Sequence, residues 1–358
     1  MGKKLKVTIV GAGNIGTALA VTLAQSEEFC VQVIDRSEDA LDRLRSLNLT
    51  ADLRNISHAD DLQKSLSNQD VVVAAVPARA LDEIAQAAAR ANIHYLDFTG
   101  MTPQSMEMLA PLAAQRAVFK GCGVSPGLIT NVAYGLAINY APVSDLIIRV
   151  GAIPRYPSNR LGYGQIWNVD GLIDEYTLPS TAIRNGQQTS LSPLEEYGQL
   201  MIDGVAYEEF ITSGGIEDLS VFSGLARNTV TFKTIRYPGH LNYIRFLLDD
   251  LGLRNRRDML RSLLYNALPV IEDDVLILAV TVRGNRGHQP TERTVCHRFS
   301  PNKTVGPFNA LTSVATAYAA SLLSMLNREE IEARGFVPHH KVDVETLLGG
   351  AFLRPLIG

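Results

Sequence analysis

Cysteine is scarce. The chain of 358 residues holds three, Cys30, Cys122 and Cys296, all far apart. They build neither a disulfide framework nor a metal knuckle, so no metal site is expected, and they suit a reducing, cytoplasmic setting. Long hydrophobic runs are missing too. None approaches the roughly 20 residues that a membrane helix needs, so no membrane partner is expected. Charge of one sign is also absent: 33 basic against 37 acidic residues leave −4, with no long block of either. Nucleic acid is therefore not an expected partner. The lysines near the N-terminus could open an export signal, but Gly11, Gly13, Asn14 and Gly16 cut the following apolar stretch short. Lys6 stands where a myristoylation signal wants Ser or Thr. What remains is an ordinary globular mixture, 46% apolar and 20% charged. The chain is longer than one core grows, so two domains are expected.

The first part alternates strand and helix patterns. Val7–Val10, Val31–Ile34, Val71–Val76, His94–Phe98 and Ala117–Lys120 read as strands. Gly16–Gln25, Ala40–Leu47 and Ala80–Ala91 read as helices between them. Continuous apolar strands alternating with helices predict a parallel sheet covered on both faces. After Pro126-Gly127 the strand candidates lengthen and partly alternate: Ser144–Gly151, Leu161–Val169, Val230–Arg236 and Asp274–Val282. Leu241–Leu251 and Met259–Leu268 are the clearest helices among them. The expected fold class is α/β: a doubly wound Rossmann sheet over 1–123 and a second α/β domain with a mixed or antiparallel sheet over 124–305. A small-residue helix, Asn309–Leu326, opens a C-terminal segment over 306–358.

Gly11-Ala12-Gly13-Asn14-Ile15-Gly16 fits G-x-G-x-x-G, follows a strand and opens a helix. A second strand then ends in Asp35, 19 residues past Gly16. In that context the pattern reads as a dinucleotide fingerprint. Gly11 allows the tight turn, Gly13 admits a pyrophosphate to the backbone, and Gly16 allows close helix–strand packing. The helix N-terminus then offers N–H groups and partial positive charge to the phosphates. Asp35 suits the ribose hydroxyls and repels a 2′-phosphate, by about 4 kcal/mol per charge pair at ~4 Å and an effective dielectric near 20. NAD is the expected cofactor. NADP stays possible because the neighbouring Arg36 could accommodate that phosphate. Val76 and Pro77, where the central strand stops, join the expected cofactor contacts.

Later segments carry a resemblance. They are Gly123-Val124-Ser125-Pro126-Gly127, Trp167-Asn168-Val169-Asp170-Gly171-Leu172-Ile173-Asp174-Glu175-Tyr176, Phe210-Ile211-Thr212-Ser213-Gly214-Gly215 and Lys233-Thr234-Ile235-Arg236-Tyr237-Pro238-Gly239-His240. With the fingerprint, they make the chain resemble the saccharopine dehydrogenase family, especially its short lysine 6-dehydrogenase-like members. The resemblance implies nicotinamide chemistry, an amino-acid substrate oxidised at a C–N bond, a homo-oligomer, and a C-terminal segment returning to the first domain. It also implies that Val124, Ser125, Pro126 and Gly127 form a second cofactor-contacting loop. Ser125 departs from the Asp often found there.

Amine oxidation sets requirements on the site. An ammonium has no lone pair to expel hydride, so the nitrogen must first lose a proton. For a lysine-type amine with a pKa near 10.4, neutrality at pH 7 costs about 4–5 kcal/mol. The site needs a base or a dry wall. Asp97, at the end of a strand where open sheets bind ligands, and His240, after the Pro238-Gly239 turn, are the two candidate catalytic bases. Asp97 could equally cap a turn, and His240 could be a structural histidine. Arg236, beside Tyr237, is the first choice to grip a substrate carboxylate bidentately, ahead of Arg149 and Arg155. Glu175 and Asp170 could hold a distal ammonium or face water on a strand and turn. Ser213 and Gly214 could present backbone groups to the substrate, and Trp167 could wall the pocket. Two other readings remain open. One is a reductive enzyme joining an amine to an oxo-acid, of the opine or carboxyalkyl-polyamine type. The other is a non-catalytic NAD-binding regulator.

Overall fold

The computed structural model describes residues 4–216, 218–286, 288–301, 303 and 306–358; the side chain of Arg286 is outside this description. The chain divides into two compact units. The first comprises Met1–Leu128, Lys303–Gly306 and Thr312–Pro355; the second comprises Ile129–Asn302, Pro307–Leu311 and Leu356–Gly358.

The first unit opens with β1 (Leu5–Val10), α1 (Asn14–Ala24), β2 (Phe29–Asp35), α2 (Glu38–Arg45), β3 (Ala51–Asn55) and α3 (Ala59–Leu66). It continues with β4 (Val71–Ala74), α4 (Leu81–Ala91), β5 (His94–Asp97), α5 (Pro103–Ala113) and β6 (Ala117–Phe119). Local chemistry sets the element ends. Ser37 caps α2 by accepting from the Ala40 N–H, with Glu38 and Asp39 in the first turn and Arg43 and Arg45 in the last. Thr102 caps α5, with Pro103 at the first helical position. Central β4 is buried at every residue, which explains its unbroken valine run.

The second unit follows: α6 (Leu128–Tyr140), β7 (Val143–Pro154), α7 (Val169–Thr177), β8 (Ser180–Arg184), β9 (Gln187–Leu191), β10 (Gly198–Ile202) and β11 (Val205–Ile211). Then come β12 (Ala226–Arg236), α8 (His240–Arg245), α9 (Arg257–Ala267), β13 (Asp274–Arg286) and β14 (Gln289–Phe299). The chain ends in α10 (Ala310–Asn327), β15 (Gly335–Phe336) and α11 (Val344–Gly349). β15 pairs in parallel with β6 in the first unit's sheet.

That sheet runs β15-β6-β5-β4-β1-β2-β3, all parallel. Without β15 this is the 3-2-1-4-5-6 dinucleotide-binding order, with its switch point between β1 and β4. The second sheet runs β10-β11-β12-β7-β13-β14, with β8 and β9 attached through β12. Only β12 and β7 pair in parallel, so the sheet is mixed. One face carries Ile153, Tyr207, Ile235 and Ile277, packed with Leu200 and Ile202 from the far strand β10. Arg298 of β14 donates to Asp203 beside β10 at 2.9 Å, so the sheet curls until its two edges meet. The other face carries Arg236, Glu208 and Phe210 (Glu208 stands opposite Arg236 in register).

Two expectations need correction. Leu161–Val169 is not a strand but an irregular segment leading into α7. Asp170 and Glu175 accordingly sit on a helix, not on a strand and turn. Its start is set by Asn168, whose side chain accepts from the Gly171 N–H. Tyr163, Ile166, Trp167 and Val169 imitate a strand, but the stretch stays irregular up to Asn168, where the cap opens the helix. α10 is long and apolar enough to cross a membrane by length and composition, yet it is mostly buried within the fold.

Asp274 is fully buried and accepts from the backbone N–H groups of Ala310 and, at 3.1 Å, Leu311. Asp274→Asn turns an amide N–H against one of those donors. The expected loss is about 1–3 kcal/mol of stability, read from urea unfolding.

Candidate active site

The first unit's site begins at the turn after β1. Gly11 has φ +106°, which disfavours a side chain. A Cβ on Gly16 would lie 1.8 Å from the Gly11 carbonyl oxygen, so helix and turn touch there. A Cβ on Gly13 meets nothing within 4 Å, leaving open space at the N-terminus of α1. Exposed Gly13 and Asn14, with partly exposed Ile15, line that opening. The arrangement fits a dinucleotide pyrophosphate. Beside it a cleft of about 220 Å³ is lined by Gly11, Asp35, Arg36, His58, Val76 and Pro77. The Asp35 carboxylate accepts from Ala12 N–H at 2.6 Å and Ser37 N–H at 2.8 Å, bracing the loop. Exposed Arg36 pairs with Glu83.

At the carboxyl ends of β5 and β6, Asp97 is fully buried. Its Oδ1 accepts from Gly100 N–H at 2.8 Å and Gly121 N–H at 2.9 Å, and its carbonyl accepts from Cys122 N–H. The carboxylate ties two loops together, as the turn-capping alternative requires. Next to it, Val124, Ser125, Pro126 and Gly127 form a tight loop; the Leu128 N–H returns to the Gly123 carbonyl, and Gly127 has φ +120°. His339 braces the same region. Its Nε2 lies 2.8 Å from the Lys120 carbonyl and must donate there, so Nδ1 accepts from the Tyr318 hydroxyl at 2.7 Å. Nothing local to His339-His340 in the sequence signals this contact, whose partner is 219 residues away.

The second unit holds a buried polar chain. His240 Nδ1 lies 2.8 Å from the Leu161 carbonyl, which can only accept, so Nδ1 carries the proton. Nε2 then accepts from the Tyr176 hydroxyl at 2.9 Å, and Tyr176 in turn accepts from Arg236 Nε at 3.1 Å. Arg236 Nη1 donates to Thr234 and to the Ile235 carbonyl, and Nη2 donates to Glu175 Oε2 at 2.9 Å. The guanidinium carbon sits 4.7 Å from the Tyr163 ring centroid, a cation–π contact. Gly239 (φ +96°) makes the turn that delivers His240. Glu208 locks it by accepting from the Gly239 and Leu241 N–H groups at 2.9 and 2.6 Å.

Three of the expected roles change with this geometry. Arg236 is 2% exposed and spends its fork inside the unit, so it is not presented as a bidentate clamp for a substrate carboxylate. His240 has both ring nitrogens engaged. Burial first, then the Arg236 charge, push its pKa down to about 3, so it is neutral at physiological pH. Tyr237 lies apart from the chain, packed on Tyr207 and donating to the Pro154 carbonyl at 2.9 Å. Arg149 and Arg155 are likewise engaged, with Glu209 and Asp273. Ser213 caps the end of α7 through the Asp174 and Glu175 carbonyls, while Gly214 borders open space. Half-exposed Trp167 lies over Gly171, and its Nε1 donates to the Tyr163 hydroxyl at 3.3 Å. Tyr163, Tyr176 and Glu208 went unread because their partners Arg236, His240, Gly239 and Leu241 are distant in sequence; Thr234, two residues from Arg236, also went unread.

Comparison with known proteins decides the family. The saccharopine dehydrogenase NADP binding domain matches residues 7–119, and the saccharopine dehydrogenase C-terminal domain matches residues 123–356. The chain belongs to the saccharopine dehydrogenase family. It is an oxidoreductase-family chain with an NAD(P)-binding domain. The saccharopine dehydrogenase (L-Glu forming) of Saccharomyces cerevisiae shares its fold, with TM-score 0.79 and 14% identity over 99% of this chain and 98% of that one. The cyclohexadienyl dehydrogenase of Zymomonas mobilis is 36% identical over 86 residues, 24% of this chain and 28% of that protein. The glycerol-3-phosphate dehydrogenase (NAD(P)+) of Bacillus subtilis is 32% identical over 88 residues, 22% and 25% respectively. These matches span about a quarter of each curated relative's length.

Two outcomes follow. Gly13→Ala should leave thermal stability unchanged while weakening dinucleotide binding at least about tenfold, because its methyl fills only ligand space; Gly16→Ala should lower both. Fluorescence titration and thermal melts separate the two. His240 gives a pH signature. Between its ordinary 6.5 and about 3 the unfolded chain binds a proton that the folded chain refuses. Stability should therefore fall on acidification through that window, by up to about 1.4 kcal/mol per pH unit. His240→Gln should flatten this slope in urea midpoints measured against pH.

Proposed function

We propose that this protein is an NAD-linked dehydrogenase that oxidises a C–N bond of an amino acid of the saccharopine or lysine type, with hydrolysis of the resulting imine. The observation that carries the reading is Glu175. It is a partly exposed carboxylate in the second unit, anchored from behind by the buried Arg236. A partly exposed carboxylate with one oxygen held in place suits a substrate ammonium. Bound at the first unit's glycine turn, the nicotinamide cofactor supplies a hydride acceptor at C4 of its ring. The protein's own groups bind and orient. Gly13 and the N-terminus of α1 take the pyrophosphate, and Val76, Pro77 and the 124–127 loop border the cofactor. Glu175 holds the amine.

Asp35 supports NAD as the preferred form, since its carboxylate lines the cleft where a 2′-phosphate would fall; Arg36 is drawn away by Glu83. The reductive joining of an amine and an oxo-acid uses the same groups in the opposite direction. A homo-oligomer also belongs to this reading, supported by exposed Tyr243, Phe246, Met259, Leu263 and Tyr265 on the second unit.

The test is NADH formation with a panel of amines, including lysine and saccharopine, at alkaline pH. Turnover of at least one is expected. Tight NAD binding without any turnover would favour a non-catalytic NAD-binding protein. Asp35→Ser should raise KM for NAD at least about tenfold and leave KM for NADP unchanged or lower.

A further inference from the structure

We propose that Glu175 is the group that takes the proton from the substrate ammonium, a task the sequence had offered to Asp97 or His240. This rests on the amine-oxidising reading above. The assignment follows from which ends of the polar networks are open. Asp97 is fully enclosed, and its Oδ1 is held by two backbone N–H groups. His240 is 1% exposed and donates and accepts through its two ring nitrogens. Along the chain Leu161–His240–Tyr176–Arg236–Glu175, the Glu175 side chain is 22% exposed against 3% for Arg236. Its Oε2 is held by Arg236, while Oε1 accepts no hydrogen bond from the described residues. A free lone pair on a half-open carboxylate is what an ammonium N–H needs.

The helix aims this group. Gly171 and Glu175 stand four residues apart on α7, and side chains on a helix lean toward its N-terminus. A Cβ on Gly171 would lie 2.4 Å from the Trp167 ring, so the indole occupies the space a side chain there would need. Glu175 stands one turn further along the same helix, its Oε2 held by Arg236.

The charged and titratable groups near Glu175 come from several elements. β12 contributes Arg236, the segment before α7 contributes Tyr163, and α8 contributes His240. Tyr176 and Asp174 share its helix. Arg254 reaches the Tyr176 carbonyl, and Arg257 of α9 pairs with Asp174. Burial pushes the Glu175 carboxyl up, to about 7, against the pull of Arg236. A proton acceptor works best near the operating pH, where it is ionised often enough to act and basic enough to hold the proton.

The balance is as follows. The ammonium gives one proton to the Glu175 carboxylate, leaving a neutral amine and a carboxylic acid. The nitrogen lone pair forms C=N as hydride leaves carbon for the oxidised nicotinamide. The acid releases its proton to solvent, and water adds to the iminium carbon. The C–N bond then breaks, giving a carbonyl and the released amine or ammonium. Overall, an alkylammonium, NAD+ and water become a carbonyl compound, ammonium (or a released alkylammonium), NADH and one proton. Arg236 keeps its bond to Oε2 throughout, and the Tyr176–His240–Leu161 chain holds the guanidinium in plane.

The experiment compares wild type with Glu175→Gln, Glu175→Asp and His240→Gln, using an amine that the wild type oxidises. In the wild type, kcat/KM should rise with pH through an apparent pKa near 7. Glu175→Gln should lose at least about a hundredfold in kcat and lose that limb, with NAD affinity unchanged. Glu175→Asp should keep a limb at reduced kcat, which covers the case of a poorly folded Gln variant. Infrared titration gives a readout independent of turnover: a carboxyl titrating near 7 should be present in the wild type and absent from Glu175→Gln. Wild-type turnover with full kcat and an unchanged limb in Glu175→Gln overturns the assignment alone. A limb that vanishes in His240→Gln but persists in Glu175→Gln also overturns it. NAD binding with no amine oxidised by the wild type overturns the underlying reading as well.

Discussion

A positive charge enclosed in the second unit governs much of its architecture. Burying a guanidinium is costly unless its donors find partners, and Arg236 finds them on two elements. β12 contributes Thr234 and the Ile235 carbonyl, and α7 contributes Tyr176 and Glu175. α8 completes the set indirectly through His240. The Tyr163 ring closes one face of the guanidinium. The irregular path of 155–168 is explained by the same demand, since it must bring both Tyr163 and the Leu161 carbonyl to the cluster. Breaking one partner exposes the others to an unpaired charge, so the elements are coupled more tightly than apolar packing alone would make them.

The first unit solves a different problem, that of presenting backbone to an anion. Its means are steric rather than electrostatic. Glycines at 11 and 16 let a turn and a helix meet without side chains, and Gly13 leaves room above them. The carboxylates nearby act mainly as braces. Asp35 accepts from the glycine turn itself, and Asp97 gathers amides from two loops. The ionisable group in the second unit works the other way, since Glu175 is braced and leaves an oxygen free.

Much of the first unit was readable because its signals are local. Valine runs, glycines at fixed spacing and an acidic residue at the end of β2 all lie within a few turns of what they determine. The site in the second unit was readable only as a set of residue types. Arg236, His240, Glu175 and Trp167 stand in recognisable motifs, but their roles depend on pairings across some sixty residues or more, such as Arg236 with Glu175 and His240 with Leu161. Neither periodicity nor spacing encodes those contacts. The same limit explains α7, where Val169, Ile173 and Tyr176 imitate strand composition while the Asn168 cap opens a helix over them. It also explains why the bidentate role expected of Arg236 gave way to an internal one.

The strand β15 bears on how the protein is made. The first unit's sheet receives this edge strand from residues 335–336, more than two hundred positions after β6. On the ribosome, this sheet therefore waits until more than two hundred further residues have followed β6 before it acquires its last strand and His339 reaches the Lys120 carbonyl. Until then β6 offers unpaired amides and carbonyls along one side. Over that interval the first unit carries an open sheet edge, although its fold is the more locally encoded of the two.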